Sequence, residues 1–261
     1  MGVGFTTPLP GAGRTALVTG ATSGIGLATA HELARLGFRL IVTGRRTERL
    51  AALVAALAPT TAAYALAFDV RDQPATEAAI ARLPAEWRRV EVLVNNAGNA
   101  HGLASVETGD VADWDAMLDS NVKGLLYVTR AVLPLMPTDA GGLIINMSSI
   151  AGRQVYANGA VYCASKAAVD ALTAGMRLDL VHRGIRVAQV SPGAVETEFA
   201  SVRFKGDAPR AAATYAGYEP LQAQDVAELI GFMATRPARV NFADVLLLAA
   251  AQAAATVIRR D

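Results

Sequence analysis

Cysteine is almost missing from this chain. Its 261 residues contain one, Cys163, so no intrachain disulfide can staple the fold. Histidine is scarce as well. His31, His101 and His182 are widely spread and show no ligand spacing with cysteine or carboxylates, so no metal is expected. Neither sign of charge dominates. The 24 basic and 23 acidic residues leave a formal net charge of +1, which gives no basis for nucleic-acid or polyanion binding. No apolar run reaches the length of a membrane span; the longest, 245–258, is broken by Gln252. Residues 1–13 are rich in glycine and proline and hold no apolar run flanked by basic residues. They read as a flexible N-terminal arm rather than a secretory signal. These absences suit a cytoplasmic protein whose partner is a small molecule, not a membrane or a nucleic acid.

What the chain has is apolar bulk. A content of 52% hydrophobic and 18% charged residues suits one large domain with a substantial core. Short β-rich runs at 15–18, 38–43, 63–68, 90–94, 143–147, 185–190 and 245–248 alternate with helical patterns at 24–36, 47–57, 74–83, 111–135, 161–183 and 225–234. The strand runs are apolar throughout rather than at every second residue, which means burial on both faces. Strands alternating with helices then predict an α/β fold. The expected form is a single-domain, Rossmann-type, doubly wound parallel sheet of about seven strands, with helices on both faces and spanning 14–261. Residues 192–220 read as an irregular stretch, long for a compact domain, and are expected to form a lid over the substrate.

The first strand runs into Thr19-Gly20-Ala21-Thr22-Ser23-Gly24-Ile25-Gly26, and a helix starts inside it. Gly20, Gly24 and Gly26 allow a tight turn and close approach to a pyrophosphate. Thr22, Ser23 and Ile25 complete the loop, and the helix N-terminus offers free N–H groups to the anion. The second strand ends in Thr43-Gly44-Arg45-Arg46. A carboxylate there would bind the ribose 2′-hydroxyl of NAD; arginines instead suit the 2′-phosphate of NADP. Arg45 is the first candidate, with Arg46 sharing the charge or stacking on adenine. Asp69-Val70 closes the third strand, where the carboxylate can accept from the adenine amino group. Asn95-Asn96-Ala97-Gly98 closes the fourth. There the small Ala97 and Gly98 leave room for ribose, and the Asn96 amide can tie neighbouring strands.

Tyr162 and Lys166 lie four positions apart in a helical pattern, so both project from one face. A tyrosine ordinarily titrates near pH ~10, and bringing it to neutrality takes roughly 4 kcal/mol. An adjacent ammonium and a cofactor cation can supply that by favouring the phenolate. The pair is therefore expected to be a proton-transfer device.

Taken together, Thr19–Gly26, Asn95–Gly98, Asn121, Ser149, Tyr162/Lys166 and Pro192-Gly193-Ala194-Val195-Glu196-Thr197 resemble the short-chain dehydrogenase/reductase family over about 15–257. Thr43–Leu50, Leu83–Trp87 and Val202–Asp207 look like its NADP-dependent 3-hydroxy acid dehydrogenases, the serine and L-allo-threonine dehydrogenase group. The resemblance implies that Tyr162 exchanges a proton with the substrate oxygen and that Ser149 donates to the same oxygen. It implies that Lys166 holds the nicotinamide ribose and that Asn121 holds a water linking Lys166 to solvent. It assigns Pro192, Gly193, Val195 and Thr197 to the nicotinamide, and it implies a homotetramer, with a dimer left open.

On the substrate side the sequence offers less. Arg203, in the lid, is a candidate for a substrate carboxylate. Gln154 precedes Tyr162 and is a pocket candidate by position alone. His101, just past the Asn95–Gly98 motif, can edge the same pocket. The resulting expectation is an NADP(H)-dependent oxidoreductase acting on a small 3-hydroxy acid such as serine, L-allo-threonine or 3-hydroxypropionate. Two alternatives stay open, a ketone or aldehyde reductase of secondary metabolism and a non-catalytic NADP(H)-binding protein.

Overall fold

The structure is a computed structural model that describes residues 8–139 and 141–261. Nine strands are assigned: β1 (Thr15–Val18), β2 (Arg39–Gly44), β3 (Ala63–Ala67), β4 (Val92–Asn95), β5 (Leu143–Met147), β6 (Arg186–Pro192), β7 (Val195–Glu196), β8 (Leu221–Gln222) and β9 (Asp244–Leu247). The helices are α1 (Gly24–Arg35), α2 (Thr47–Leu57), α3 (Gln73–Ala81), α4 (Val111–Leu118), α5 (Gly124–Val132), α6 (Ala160–Leu180), α7 (Phe199–Arg203), α8 (Ala208–Ala213) and α9 (Ala223–Ala234).

Seven strands form one parallel sheet in the order β3-β2-β1-β4-β5-β6-β9, and β7 and β8 form a small separate ladder. The apolar strand runs are explained by where alternate residues go. Ala16, Val18, Leu40, Val42, Val92, Val94 and Ile145 enter a core with Leu33 and Ala34 of α1 and with Val226 and Ile230 of α9. Leu17, Ile41, Leu93 and Ile144 face the other way, onto Ile80 of α3 and Val128 and Val132 of α5. A period of two with apolar residues in both phases gives the continuous runs seen in the sequence.

Chain order reverses between β1 and β4, so the loops after these two strands diverge and open a crevice at the C-terminal edge of the sheet. Ligands bind at such a switch point in open α/β sheets.

Three expectations need revision. The helix expected over 111–135 is interrupted at Asp119–Lys123 by a wider, π-type turn that contains Asn121. Asn121 bonds sideways out of the helix: Asn99 N–H donates to its Oδ1 at 2.8 Å, and its Nδ2 donates to Asn99 O at 2.9 Å. The stretch 192–220, read as irregular, holds β7, α7 and α8. Of the arm expected at 1–13, residues 1–7 lie outside the described residues. The rest is a turn held by Gly11 N–H donating to Leu36 O at 2.8 Å, with Gly11 itself buried.

A buried polar chain crosses the middle of the sheet. Asn95 Nδ2 donates to Thr129 Oγ1 at 2.8 Å and to Asn146 Oδ1 at 2.9 Å, and Asn146 Nδ2 donates to Thr173 Oγ1 at 2.9 Å. It fixes α5 and α6 against β4 and β5. Asn146→Ala should therefore cost about 1–3 kcal/mol, because one Asn95 amide hydrogen and the accepting side of the Thr173 hydroxyl lose their partner in a dry interior and keep only their bonds to Thr129 and Val169. A melting temperature equal to that of the unaltered protein would contradict this.

Candidate active site

A cleft of about 600 Å³ opens at the chain reversal. One wall is the glycine loop. Gly20 has φ +66° and sits so close to the β4 loop that a Cβ there would lie 3.0 Å from Ala97 Cα. A Cβ on Gly26 would lie 2.3 Å from Gly20 O. The loop is pinned by Thr19, whose Oγ1 accepts from Asn96 N–H at 3.0 Å and Ala97 N–H at 2.9 Å, while Asn96 Nδ2 donates to Thr19 O at 2.9 Å. Ser23 stands at the N-cap of α1, but its side chain accepts no capping bond from the helix, so the first-turn N–H groups are available to an anion. At Gly20 and Gly26 only a side-chain-free backbone fits, and the loop leaves a concave cradle at the start of α1.

Arg46 is the arginine folded against this cradle. Its Nη2 donates to Thr22 Oγ1 and Ser23 Oγ, both at 2.8 Å, and its Nη1 to Glu198 Oε2 at 3.2 Å. Arg49 donates to the same Glu198 carboxylate at 2.9 Å. Arg45, expected to lead, is more exposed and stands 3.7 Å from Asp69 Oδ2. Asp69, expected to await an adenine amino group, is gripped by Arg71 at 2.7 Å. Burial works against the Asp69 carboxylate, but the Arg71 hydrogen bonds outweigh it and hold its pKa below the ordinary value. Ile25, Val70 and Gly98 complete this half of the cleft.

The other half brings together Ser149, Tyr162, Lys166, Pro192, Gly193, Val195 and Thr197. Asn121 lies just behind. Its Nδ2 donates to Ser165 Oγ at 3.0 Å, and a Cβ on Gly98 would be 2.9 Å from Asn121 Oδ1 and 3.6 Å from Lys166 Nζ. Ser149 Oγ accepts from Ala151 N–H at 3.1 Å, which orients it at the end of β5. Ser148 turns away, as strand alternation requires, and its hydroxyl meets Asp170.

The Tyr162/Lys166 pair differs from expectation in its electrostatics. Lys166 Nζ donates to Met147 O at 2.9 Å and lies 6.0 Å from the centre of the Tyr162 ring. Burial pushes Lys166 down to about 8, against the attraction of Asp170. Burial also pushes Tyr162 up, and Tyr156 adds to this, while the Ser149 hydrogen bond and the Arg203 guanidinium pull it back. The protein alone therefore keeps the hydroxyl protonated. The reason is that desolvation of a phenolate outweighs a lysine aimed at a backbone carbonyl.

Beside Tyr162 lies a smaller pocket, lined among others by His101, Asp113, Trp114 and Arg203. Arg203 stacks over Tyr156 at 5.5 Å and over Tyr162 at 5.6 Å, and its Nε donates to Gly102 O at 3.2 Å. Lys205 reaches the opposite wall, 3.0 Å from Asp113 and 3.7 Å from Asp110. His101 edges both pockets; burial lowers its pKa, and Asp113 opposes. Gln154 is not brought in. It is exposed, and its Oε1 accepts from Ala255 N–H at 2.8 Å. Trp114, Glu198 and Gln252 reach the site or its supports without having been singled out for it in the sequence. No spacing rule marks them; only Gln252 left a trace, as the polar break in an apolar tail. Among the described residues, no three histidine, cysteine or acidic side chains gather as a metal site, and no helix is long and apolar enough to cross a membrane.

Known proteins share this arrangement. The family model described as short chain dehydrogenase matches residues 14–208. Sulfoacetaldehyde reductase 2 of Chromohalobacter salexigens is 49% identical over 226 residues, which is 86% of this chain and 90% of that protein. The NADP-dependent 3-hydroxy acid dehydrogenase YdfG of Salmonella typhi is 46% identical over 90% of this chain and 95% of its own. Among solved structures, the closed form of serine dehydrogenase complexed with NADP+ superposes with a TM-score of 0.89 at 42% identity, covering 95% of this chain and all of that one. With the glycine cradle, the reversed sheet and the serine–tyrosine–lysine wall in one cleft, the chain belongs to the short-chain dehydrogenase family.

Proposed function

We propose that this protein is an NADP(H)-dependent oxidoreductase that interconverts a hydroxyl and a carbonyl on a small substrate with an anionic end, a 3-hydroxy acid above all. The observation that carries the reading is the placement of Arg203. Its guanidinium overhangs the Tyr162 ring, and among the described residues no carboxylate pairs with it within 4.0 Å, while Asp113 and Asp110 are engaged by Lys205. A carboxylate bound there would carry the β-carbon hydroxyl towards Tyr162 and Ser149. A sulfonate has the same charge and a similar set of acceptor oxygens. The relatives, a 3-hydroxy acid dehydrogenase and a sulfoacetaldehyde reductase by name, fall on either side of that choice.

The cradle fits NADP(H). When bound, the cofactor exchanges a hydride with the carbon that bears the substrate oxygen. The protein handles the proton and the geometry. Tyr162 exchanges the proton with that oxygen, and Ser149 donates a hydrogen bond to it as charge develops. Lys166 would hold ribose hydroxyls, and Asn121 fixes the turn beside Lys166. Val195 and Thr197 would hold the carboxamide. Arg46, with Arg45, would hold the 2′-phosphate in exchange for the Glu198 contact.

Two apolar surfaces support a homotetramer, which we propose with this reading. Val111, Leu118 and Leu126 are exposed on α4 and α5, and Phe232, Phe242 and Leu246 on and beside α9 and β9. A cytoplasmic setting is proposed on the single buried cysteine, a free thiol.

Arg46→Ala should weaken NADP+ binding about ten- to a hundredfold by removing a charge-assisted contact, and leave NAD+ binding unchanged; equal losses for both, measured by titration, would contradict the assignment. Oxidation needs Tyr162 ionised, and burial raises its pKa. The kcat/KM for oxidation should therefore climb with pH into the alkaline range, whereas reduction, which uses the protonated form, should hold through neutrality. Tyr162→Phe should lose about 10²- to 10⁴-fold in both directions; a variant that keeps its turnover removes Tyr162 from the chemistry. Arg203→Ala, assayed on 3-hydroxypropionate, L-serine, isethionate and a neutral secondary alcohol, should raise KM about tenfold or more for the anions only. A uniform effect on the neutral alcohol would overturn the anionic substrate class.

A further inference from the structure

The segment after β9 borders the cleft, and the proposed reaction leaves it without a role. It crosses the C-terminal edge of the sheet and carries one buried polar side chain, Gln252, only 6% exposed. Gln252 Oε1 accepts from Ala194 N–H at 2.9 Å, and its Nε2 donates to Ala254 O at 3.2 Å. A Cβ on Gly193 would stand 2.1 Å from that Oε1, so the amide is pressed onto the loop backbone. Gly193 N–H in turn donates to Leu247 O at 2.8 Å. Three residues beyond Gln252, Ala255 N–H donates to Gln154 Oε1 at 2.8 Å, and Gln154 follows the tight turn that Ser149 opens. Residues 252–255 therefore tie together two loops, one carrying Ser149 and the other Val195 and Thr197.

The loop from β6 to β7 is irregular backbone in a part-buried place. Its N–H groups must be satisfied by something other than a strand ladder. Ala194 meets this need through one side chain, and a fully bonded buried amide of this kind defines a single geometry. We propose that Gln252 is a positioning residue for the reaction. Through Ala194 N–H it fixes the depth of the Gly193–Thr197 loop, and so the register of the cofactor's reactive end against Ser149 and Tyr162. Gln252 is not among the residues that line the cleft, so it acts through the loop, and the proposal rests on the reading of this cleft as a dehydrogenase site.

Two near-isosteric variants separate positioning from packing. Gln252→Met keeps the volume and removes the acceptor; Gln252→Glu keeps the acceptor oxygen. Three readouts are taken on the full chain: amide hydrogen exchange of the 190–198 peptide in the free protein, NADPH affinity by fluorescence titration, and kcat with KM for hydroxy-acid oxidation. In Gln252→Met the loop peptide should exchange about tenfold faster and kcat should fall about ten- to a hundredfold, the scale of a small misplacement of reacting groups. Its KM for substrate should stay near that of the unaltered protein and its melting temperature should fall by only a few degrees, the cost of the lost Ala194 and Ala254 bonds; NADPH affinity should fall only a few-fold, because phosphate and adenine contacts lie elsewhere. Gln252→Glu keeps the acceptor for Ala194 N–H but turns a second oxygen towards Ala254 O, so it should lose loop protection and kcat by clearly less than Gln252→Met. Unaltered loop exchange and kcat in Gln252→Met would overturn the proposal, and so would equal losses in both variants, which would mark Gln252 as packing alone. If the unaltered protein binds NADPH but oxidises no hydroxy acid, the substrate reading fails, while the loop exchange of Gln252→Met still decides the role of Gln252.

Discussion

The site depends first on how Thr19 and Asn96 join the ends of two adjacent strands. Where β1 and β4 part company, the loops would be free to splay. Thr19 Oγ1 takes both the Asn96 and Ala97 N–H groups, and Asn96 Nδ2 returns a bond to Thr19 O. The two loops are thereby locked at a spacing that admits backbone but not side chains, which is why Gly20 and Gly26 tolerate no Cβ. The glycine loop, the start of helix α1 and the floor of the cleft all take their position from this lock. The same logic repeats one strand further on, where Asn95 and Asn146 bind β4 and β5 to α5 and α6.

Burial sets the chemistry. Tyr162 and Lys166 are nearly fully enclosed, and desolvation disfavours the charged form of each, raising one and lowering the other. The tyrosine is thus a proton donor by default. A nearby positive charge in the bound cofactor would turn it into a base, which couples readiness for oxidation to the state of the cofactor. The segment that holds α7 carries charge at both ends. Glu198 engages Arg46 and Arg49 beside the phosphate cradle, and Lys205 engages Asp113 beside the substrate pocket. Such pairs are individually weak at a surface. Their placement at the two ends of α7 nevertheless links it to both ligand sites.

Much of this was legible in the sequence, for identifiable reasons. Continuous apolar runs in β1, β4 and β5 announced a sheet covered on both sides, because each phase of the alternation feeds a different core. The glycines and the Tyr162/Lys166 pair were legible because a fixed local geometry needs those residue types at that spacing. Other features were not. The π-type turn around Asn121 depends on a bond to Asn99, 22 residues away, and no local pattern encodes it. Arg45 and Arg46 are neighbours with equal chemistry; which one folds onto the cradle is settled by Thr22, Ser23 and Glu198. Gln154 had only its position in favour of the pocket, and the tail took it instead.

The sequence by itself determined the covered parallel sheet, the tight glycine loop after β1 and the shared helix face of Tyr162 and Lys166, since these follow from periodicity, from glycine and from short-range spacing. Only the tertiary structure decided the direction of the tyrosine's titration, the partner of each arginine and the brace from the chain's last residues. Those outcomes rest on burial and on hydrogen bonds between segments far apart in the chain, which no local pattern records.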